Sequence, residues 1–243
     1  MGQKAEYHPP DKNAIAIYDW KDERGNLVKQ VLRYPNKSDG SKDFRQRRPG
    51  KGGDWIRNTV GVPPMLFNLD LLHIFHSDVV AITEGEKDAC TVTNLSLRDA
   101  TNGSGWPIIA TTSGAAGTWK KQFAKQLATK PLNSGISSIT RPRYTKAVVM
   151  ADADEHGKGV EHAEQVKASL EAEGIECRVV TFEDVGAKDV TEFLEEHSVK
   201  ELVRRIGVDW VCMPDGTRLD DYVPMGVPKI TDKETARLSP EAV

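Results

Sequence analysis

Three carboxylates stand where they could hold a metal. Glu84 directly follows the apolar run DVVAIT (78–83), and Asp152 and Asp154 lie at and just beyond the end of KAVVMAD (146–152). In an open parallel sheet ligands bind outside the carboxyl ends of the strands, so these groups converge if the two strands are neighbours. Acidic oxygens without His or Cys partners suit a hard cation, Mg²⁺ or Mn²⁺, which keeps several waters and binds substrate phosphates. The chemistry that follows is phosphoryl transfer or phosphodiester chemistry, the metal screening phosphate charge and orienting the attacking and leaving oxygens. Gly85, Gly157 and Gly159 would let backbone approach a phosphate closely, and the helix after each acidic segment would add its positive end.

Further candidates surround this centre. Thr112, Ser113 and Gly114 end the run PIIATT (107–112) ahead of a helix. Backbone N–H groups there can meet phosphate, although a tight turn would use the same residues. Arg45, Arg47, Arg48 and Lys51 read as a phosphate-tracking surface for nucleic acid, the alternative being a solvated strand face. Phe44 and Trp55 beside them are expected in the core. Lys188 either neutralises a nucleotide phosphate or pairs with the adjacent Asp189. Glu86, Lys87 and Asp88 have the position of first-turn surface charges, and His156 and His162 are expected as polar loop and helix residues rather than ligands.

The elements that must position these groups are legible as periodicity. Residues 14–20 and 27–34 read as a β-hairpin across the turn KDERGN, followed by a polar, basic loop (35–53), more strand and a short helix near residue 75. Beyond it, strands at 78–83, 107–112, 146–152 and in IECRVVTF alternate with helices in EKDACTVTNL, TWKKQFAKQLAT and GVEHAEQVKASLEAEG, the last closed by Gly174. This predicts an α/β fold, a mostly parallel sheet with flanking helices, preceded by a small basic β-rich subdomain. The expected division is 1–76, 77–206 and a C-terminal arm, 207–243, docking partly through Trp210, Val211 and Tyr222. KPLNSGISSITRPRY reads as a surface insertion.

Composition sets the outer limits. The 243 residues are 38% hydrophobic and 28% charged, an ordinary globular balance. No apolar run is long enough to span a membrane and no signal peptide is evident, so a cytoplasmic protein without membrane partners is expected. Cys90, Cys177 and Cys212 lack metal-ligand spacing and read as plain buried or half-buried thiols. Residues 1–75 hold 13 Lys and Arg against 9 Asp and Glu, a net +4, which leaves −7 for the rest of a chain of net charge −3. A basic front beside an acidic back fits a nucleic-acid surface next to a metal centre.

TEGEKDA and VVMADADEHGKGVEHAEQV together resemble the two signature motifs of the TOPRIM domain, in particular primase-type members of phages and mobile elements. The segment from YDWKDERGN to PPMLF is similar to what precedes that domain in such proteins, and KDVTEFLEEH resembles their late acidic motif, so the likeness covers about residues 14–197. It implies a TOPRIM (Rossmann-like) fold. Glu84 matches the family's glutamate, a metal ligand or general acid/base, and Asp152 with Asp154 the DxD that holds Mg²⁺. Asp88 matches a second acidic residue of the first motif, and Asp189 falls in the third acidic region, a further metal ligand.

The implied activity is Mg²⁺-dependent, primase-like nucleotidyl transfer on single-stranded DNA with nucleoside triphosphates, in phage or mobile-element DNA replication. A TOPRIM nuclease cleaving DNA or RNA, and a non-catalytic nucleic-acid-binding replication adaptor, are the alternatives. The zinc ribbon and helicase that accompany many primases are not recognisable in this sequence, so a replisome or helicase partner is expected to supply template recognition or unwinding.

Overall fold

Short strands carry the molecule, and their burial follows their residue pattern. The structure, a computed structural model, describes residues 11–74, 77–100, 108–114, 118–128, 144–154, 156–207 and 210. A 3₁₀ turn (Asp11–Asn13) leads into β1 (Ala16–Lys21), where Ala16, Tyr18 and Trp20 alternate inward. The chain turns back into β2 (Leu27–Tyr34), antiparallel to β1. Asp22 fixes this turn by accepting the N–H groups of Arg24 and Asn26, each at 2.9 Å.

The stretch 35–53, expected to be a loop, contains β3 (Asp43–Pro49), which pairs antiparallel with β2 and then with β4 (Trp55–Ile56). Its sequence, DFRQRRP, has no apolar alternation. It is a strand because one face is filled by Arg47, 5% exposed, whose Nε donates to Gln30 Oε1 at 2.7 Å. The Arg47 guanidinium also pairs with Asp11 and stacks 3.9 Å over Trp55.

After α1 (Leu69–Ile74) comes β5 (Val79–Ile82), buried on every residue as a central parallel strand must be. The remaining order is α2 (Glu86–Ala100), β6 (Ile109–Thr111), α3 (Lys121–Ala128), β7 (Lys146–Met150), α4 (Lys158–Glu171), β8 (Glu176–Val180), α5 (Val190–Glu196) and α6 (Val199–Ile206). These strands form a four-stranded parallel sheet, β6-β5-β7-β8. The α4 helix ends at Ala172, two residues before the expected Gly174; that glycine, at φ +80°, makes the reversal into β8 instead.

One core joins the two sheets. Phe67 lies 5.4 Å from the Trp20 ring and 6.4 Å from Tyr18, centroid to centroid. Its N–H donates to Thr112 O at 2.9 Å, and its carbonyl accepts from Thr111 Oγ1 at 2.6 Å. The linker is thereby stitched to the end of β6, so the antiparallel sheet is held beside the carboxyl edge of the parallel one. Trp210 docks as expected, 2% exposed beneath the Arg178 guanidinium. Val211, Tyr222 and the insertion 129–143 lie outside the described residues. Among the described residues no helix is long and apolar enough to cross a membrane. Cys90 is half-buried and Cys177 buried, both as free thiols; Cys212 lies outside the described residues.

Candidate active site

β5 and β7 are direct neighbours, with Ile82 opposite Val149. Glu84 and Asp152 therefore leave adjacent strands at the same edge, two and three residues past a paired position. The chain beyond β7 is tied down by the Ala153 N–H, which donates to the Lys188 carbonyl at 2.7 Å. That bond carries Asp189, the residue before α5, to the same edge. Asp88, in the first turn of α2, completes the group.

These acids are not equivalent. Asp189 caps α5, accepting the Glu192 N–H at 2.8 Å, and its other oxygen accepts from Lys87 Nζ at 2.9 Å. Burial works to raise its pKa, but the Glu192 N–H and the Lys87 ammonium outweigh it and hold it below the usual carboxylate range. Asp88 is 5% exposed and accepts from Thr191 Oγ1 at 2.5 Å; burial first, then the Asp189 charge, pushes it up to about 6. Glu84 and Asp152 accept no hydrogen bond from any of the described residues. Burial, then Asp88, Glu84 and Asp189, drives Asp152 to about 8. Asp152 thus keeps its proton at neutral pH, and a cation held beside Glu84 would take that proton's place.

The Asp154 side chain accepts the N–H groups of His156, Lys158 and Gly159, at 2.8, 3.1 and 2.5 Å. Those bonds, Gly159 first, hold it below its ordinary pKa. It fills the positive end of α4 that a phosphate would otherwise meet. Gly159 has a different reason from the one expected: a Cβ there would lie 2.1 Å from the Asp152 carbonyl oxygen, so glycine lets α4 pack against the strand end. Gly157 supplies the turn before the helix at φ +67°.

Of these acids, Glu84 and Asp154 border a cleft of about 1080 Å³ whose walls also include Gly114, Lys158, His162 and Lys188. Lys188 is exposed at its rim, its own N–H held by Glu192 Oε2 at 2.5 Å. The Gly114 N–H is used internally, donating to Thr112 Oγ1 at 2.9 Å, while Thr112 Oγ1 donates to the Glu84 carbonyl at 2.7 Å. This turn, with Ser113 half-buried in it, positions Glu84; α3 starts seven residues later than Gly114.

The basic run divides. Arg45 pairs with Asp43 at 2.8 Å, and Arg47 is the buried group described above, not a solvent-facing one. Arg48 Nε has no partner among the described residues, and Lys51 is exposed. Phe44, expected in the core, is 39% exposed, and the two-residue repeat of β3 puts it on one face with Gln46 and Arg48. Glu86, expected as a surface charge, is buried against Trp20 and Lys29: burial raises its pKa while Lys29, whose ammonium sits 3.7 Å over the Trp20 ring, works the other way. The Trp20 indole N–H lies beside the Glu86 carboxyl and also works to lower its pKa. Lys87 and Lys29 are residues whose roles sequence reasoning missed; only the heptapeptide TEGEKDA carried any signal, and it did not distinguish Lys87 from a surface lysine.

Oxygen is the only donor among the open acids, which suits Mg²⁺ or Mn²⁺. Among the described residues no three His, Cys, Asp or Glu side chains already surround one point. Glu84 and Asp152 could hold such an ion by two carboxylates, leaving its other positions to water and phosphate, as is usual for Mg²⁺.

No protein-family model and no curated protein matches the sequence. Among solved structures, the chain is similar to the Aquifex aeolicus primase, a structure of its zinc-binding and RNA polymerase domains, at TM-score 0.54 and 18% identity over 79% of this chain and 39% of that one. The chain thus spans well under half the length of that relative. A bacteriophage T7 lagging-strand DNA polymerase structure with primase domains bound to an RNA/DNA hybrid and dTTP aligns at TM-score 0.40 and 21% identity, over 80% of this chain and 75% of that one. The parallel sheet with its flanking helices and the attached antiparallel sheet are, in fold, those of a primase-type domain.

Proposed function

We propose that the chain is a primase-like nucleotidyltransferase that joins nucleoside triphosphates on single-stranded DNA at a TOPRIM-type Mg²⁺ (or Mn²⁺) centre. The observation that carries this reading is the open Glu84–Asp152 pair on adjacent strand ends: two carboxyl groups without donors among the described residues, with Glu84 in the wall of the cleft. A divalent cation held there supplies charge neutralisation for the triphosphate and lowers the pKa of the attacking hydroxyl. Glu84 accepts the proton from that hydroxyl. Lys188 and Lys158, at the cleft wall, hold phosphate oxygens, and Asp154 is available to join the centre once phosphate competes for the α4 N–H groups. Arg48 and Lys51 carry the template phosphates, with exposed Phe44 as a stacking surface. The setting is DNA replication in the cytoplasm of a phage- or mobile-element-bearing cell, with a replisome or helicase partner providing unwound template.

The test is incorporation of labelled nucleoside triphosphates on single-stranded DNA, run beside nicking of supercoiled plasmid in the same Mg²⁺ buffer. Oligonucleotide products that disappear in Glu84→Gln support synthesis. Plasmid or RNA cleavage without incorporation assigns the centre to a nuclease, and DNA binding untouched by Glu84→Gln with neither reaction assigns an adaptor.

A further inference from the structure

We propose that Lys87 is a built-in counter-cation that occupies the inner half of the acidic centre and limits it to one divalent ion, held at Glu84 and Asp152. The proposal rests on the metal reading of that centre given above. Lys87 stands in the first turn of α2, one residue before Asp88, where a lysine would ordinarily extend into water. Instead its ammonium reaches inward, 2.9 Å from Asp189 Oδ2 and 3.9 Å from Asp88 Oδ1. The Asp88 and Asp189 side chains are 7% and 12% exposed, so a charge placed between them is worth far more than a surface ion pair.

The geometry around the pair is built to keep the ammonium there. Asp189 is fixed by its cap on α5 and Asp88 by the Thr191 hydroxyl, itself 2.9 Å from Thr91 Oγ1. Three elements, α2, the segment before α5 and α5 itself, thus converge on one covalently tethered cation. The tethered ammonium is turned toward the two inner acids, and as a nitrogen cation it offers hydrogen-bond donors but no vacant coordination position. It therefore neutralises the inner acids without presenting a Lewis-acidic face to substrate. The charges of Asp88 and Asp189 are felt at Asp152, so the two halves form one electrostatic unit. Remove the ammonium and the inner carboxylates become a second oxygen-donor pair with no cation of their own.

The experiment is a Mn²⁺ titration of the full chain followed by electron paramagnetic resonance, which counts bound metal without reference to activity. The wild type is expected to take one Mn²⁺ per chain. Lys87→Met, close to lysine in volume but neutral, is expected to take two, and Lys87→Met combined with Asp189→Asn to return to one. Lys87→Gln provides a second neutral variant, with circular dichroism as the check that each folds. Metal-free Lys87→Met should melt below the wild type and recover when saturated with Mn²⁺. A single Mn²⁺ in every protein, or two in the wild type, overturns the proposal while leaving the metal centre standing. Absence of Mn²⁺ binding in all of the folded proteins sinks the metal centre itself, and this proposal with it.

Discussion

Replacing Asp152 by Asn should make the metal-free protein more stable, by an amount that grows as pH rises from about 4 to about 8. Asp152 is driven from an ordinary value of 3.8 to about 8 by burial and by Asp88, Glu84 and Asp189. Between those two pH values the unfolded chain releases the proton while the native state retains it, so native stability falls as pH rises through the window and is flat above it. Each tenfold change in proton affinity is worth about 1.4 kcal/mol, which puts the full cost near 6 kcal/mol at pH 8. Solvent reaches part of the carboxylate, and that screening leaves about 3 kcal/mol to be recovered by the amide. For a chain of this size the gain corresponds to a rise of about 6–12 °C in Tm. Thermal melts with a chelator present, at about pH 4 and about pH 8, measure it directly. The gain should be large at the higher pH and close to nil at the lower. Mg²⁺ should then stabilise the wild type and leave Asp152→Asn nearly unmoved, since only the native carboxylate binds it. An Asp152→Asn protein no more stable than the wild type at pH 8, or equally stabilised at both pH values, refutes the reasoning.

Two neighbouring arginines should separate cleanly. Arg47→Ala removes a buried cation from Gln30, Asp11 and Trp55 and should cost about 3–5 kcal/mol in urea denaturation. Arg48→Ala should leave stability unchanged and reduce the salt slope of single-stranded DNA binding by about 1, measured by fluorescence anisotropy. Gly159→Ala forces a Cβ against the Asp152 carbonyl oxygen, and the resulting shift of α4 should cost about 1–3 kcal/mol in the same denaturation assay.

The frame of the centre was readable in the chain because its determinants are local. VVAI and KAVVM are uninterrupted apolar runs, and such runs become buried parallel strands whose ends carry ligands. The hairpin was readable from the apolar run at 14–20, the turn KDERGN and the partial alternation of 27–34. β3 was not, because DFRQRRP offers no apolar face; its inward side is closed by the Arg47 guanidinium, which becomes a core group only through Gln30 and Asp11, partners 17 and 36 residues away. Phe44 illustrates the converse, an aromatic left 39% exposed on the β3 face it shares with Gln46 and Arg48. The DxD spacing placed Asp152 and Asp154 together in sequence but did not show the three N–H groups, of His156, Lys158 and Gly159, that Asp154 accepts. Lys87 was indistinguishable from a surface lysine because its partner, Asp189, lies 102 residues on. What periodicity reports is which residues face inward; which polar group satisfies which is a property of the assembled edge.

A crystal soaked with Mn²⁺ and a nucleoside triphosphate, read at the manganese absorption edge, places the ion without assumptions about activity. An anomalous peak is expected between the Glu84 and Asp152 carboxylates, bridged to the triphosphate in the cleft beside Lys188. A peak seated instead between Asp88 and Asp189 with Lys87 expelled, or a triphosphate bound away from the β5 and β7 ends with no metal beside it, would contradict that placement.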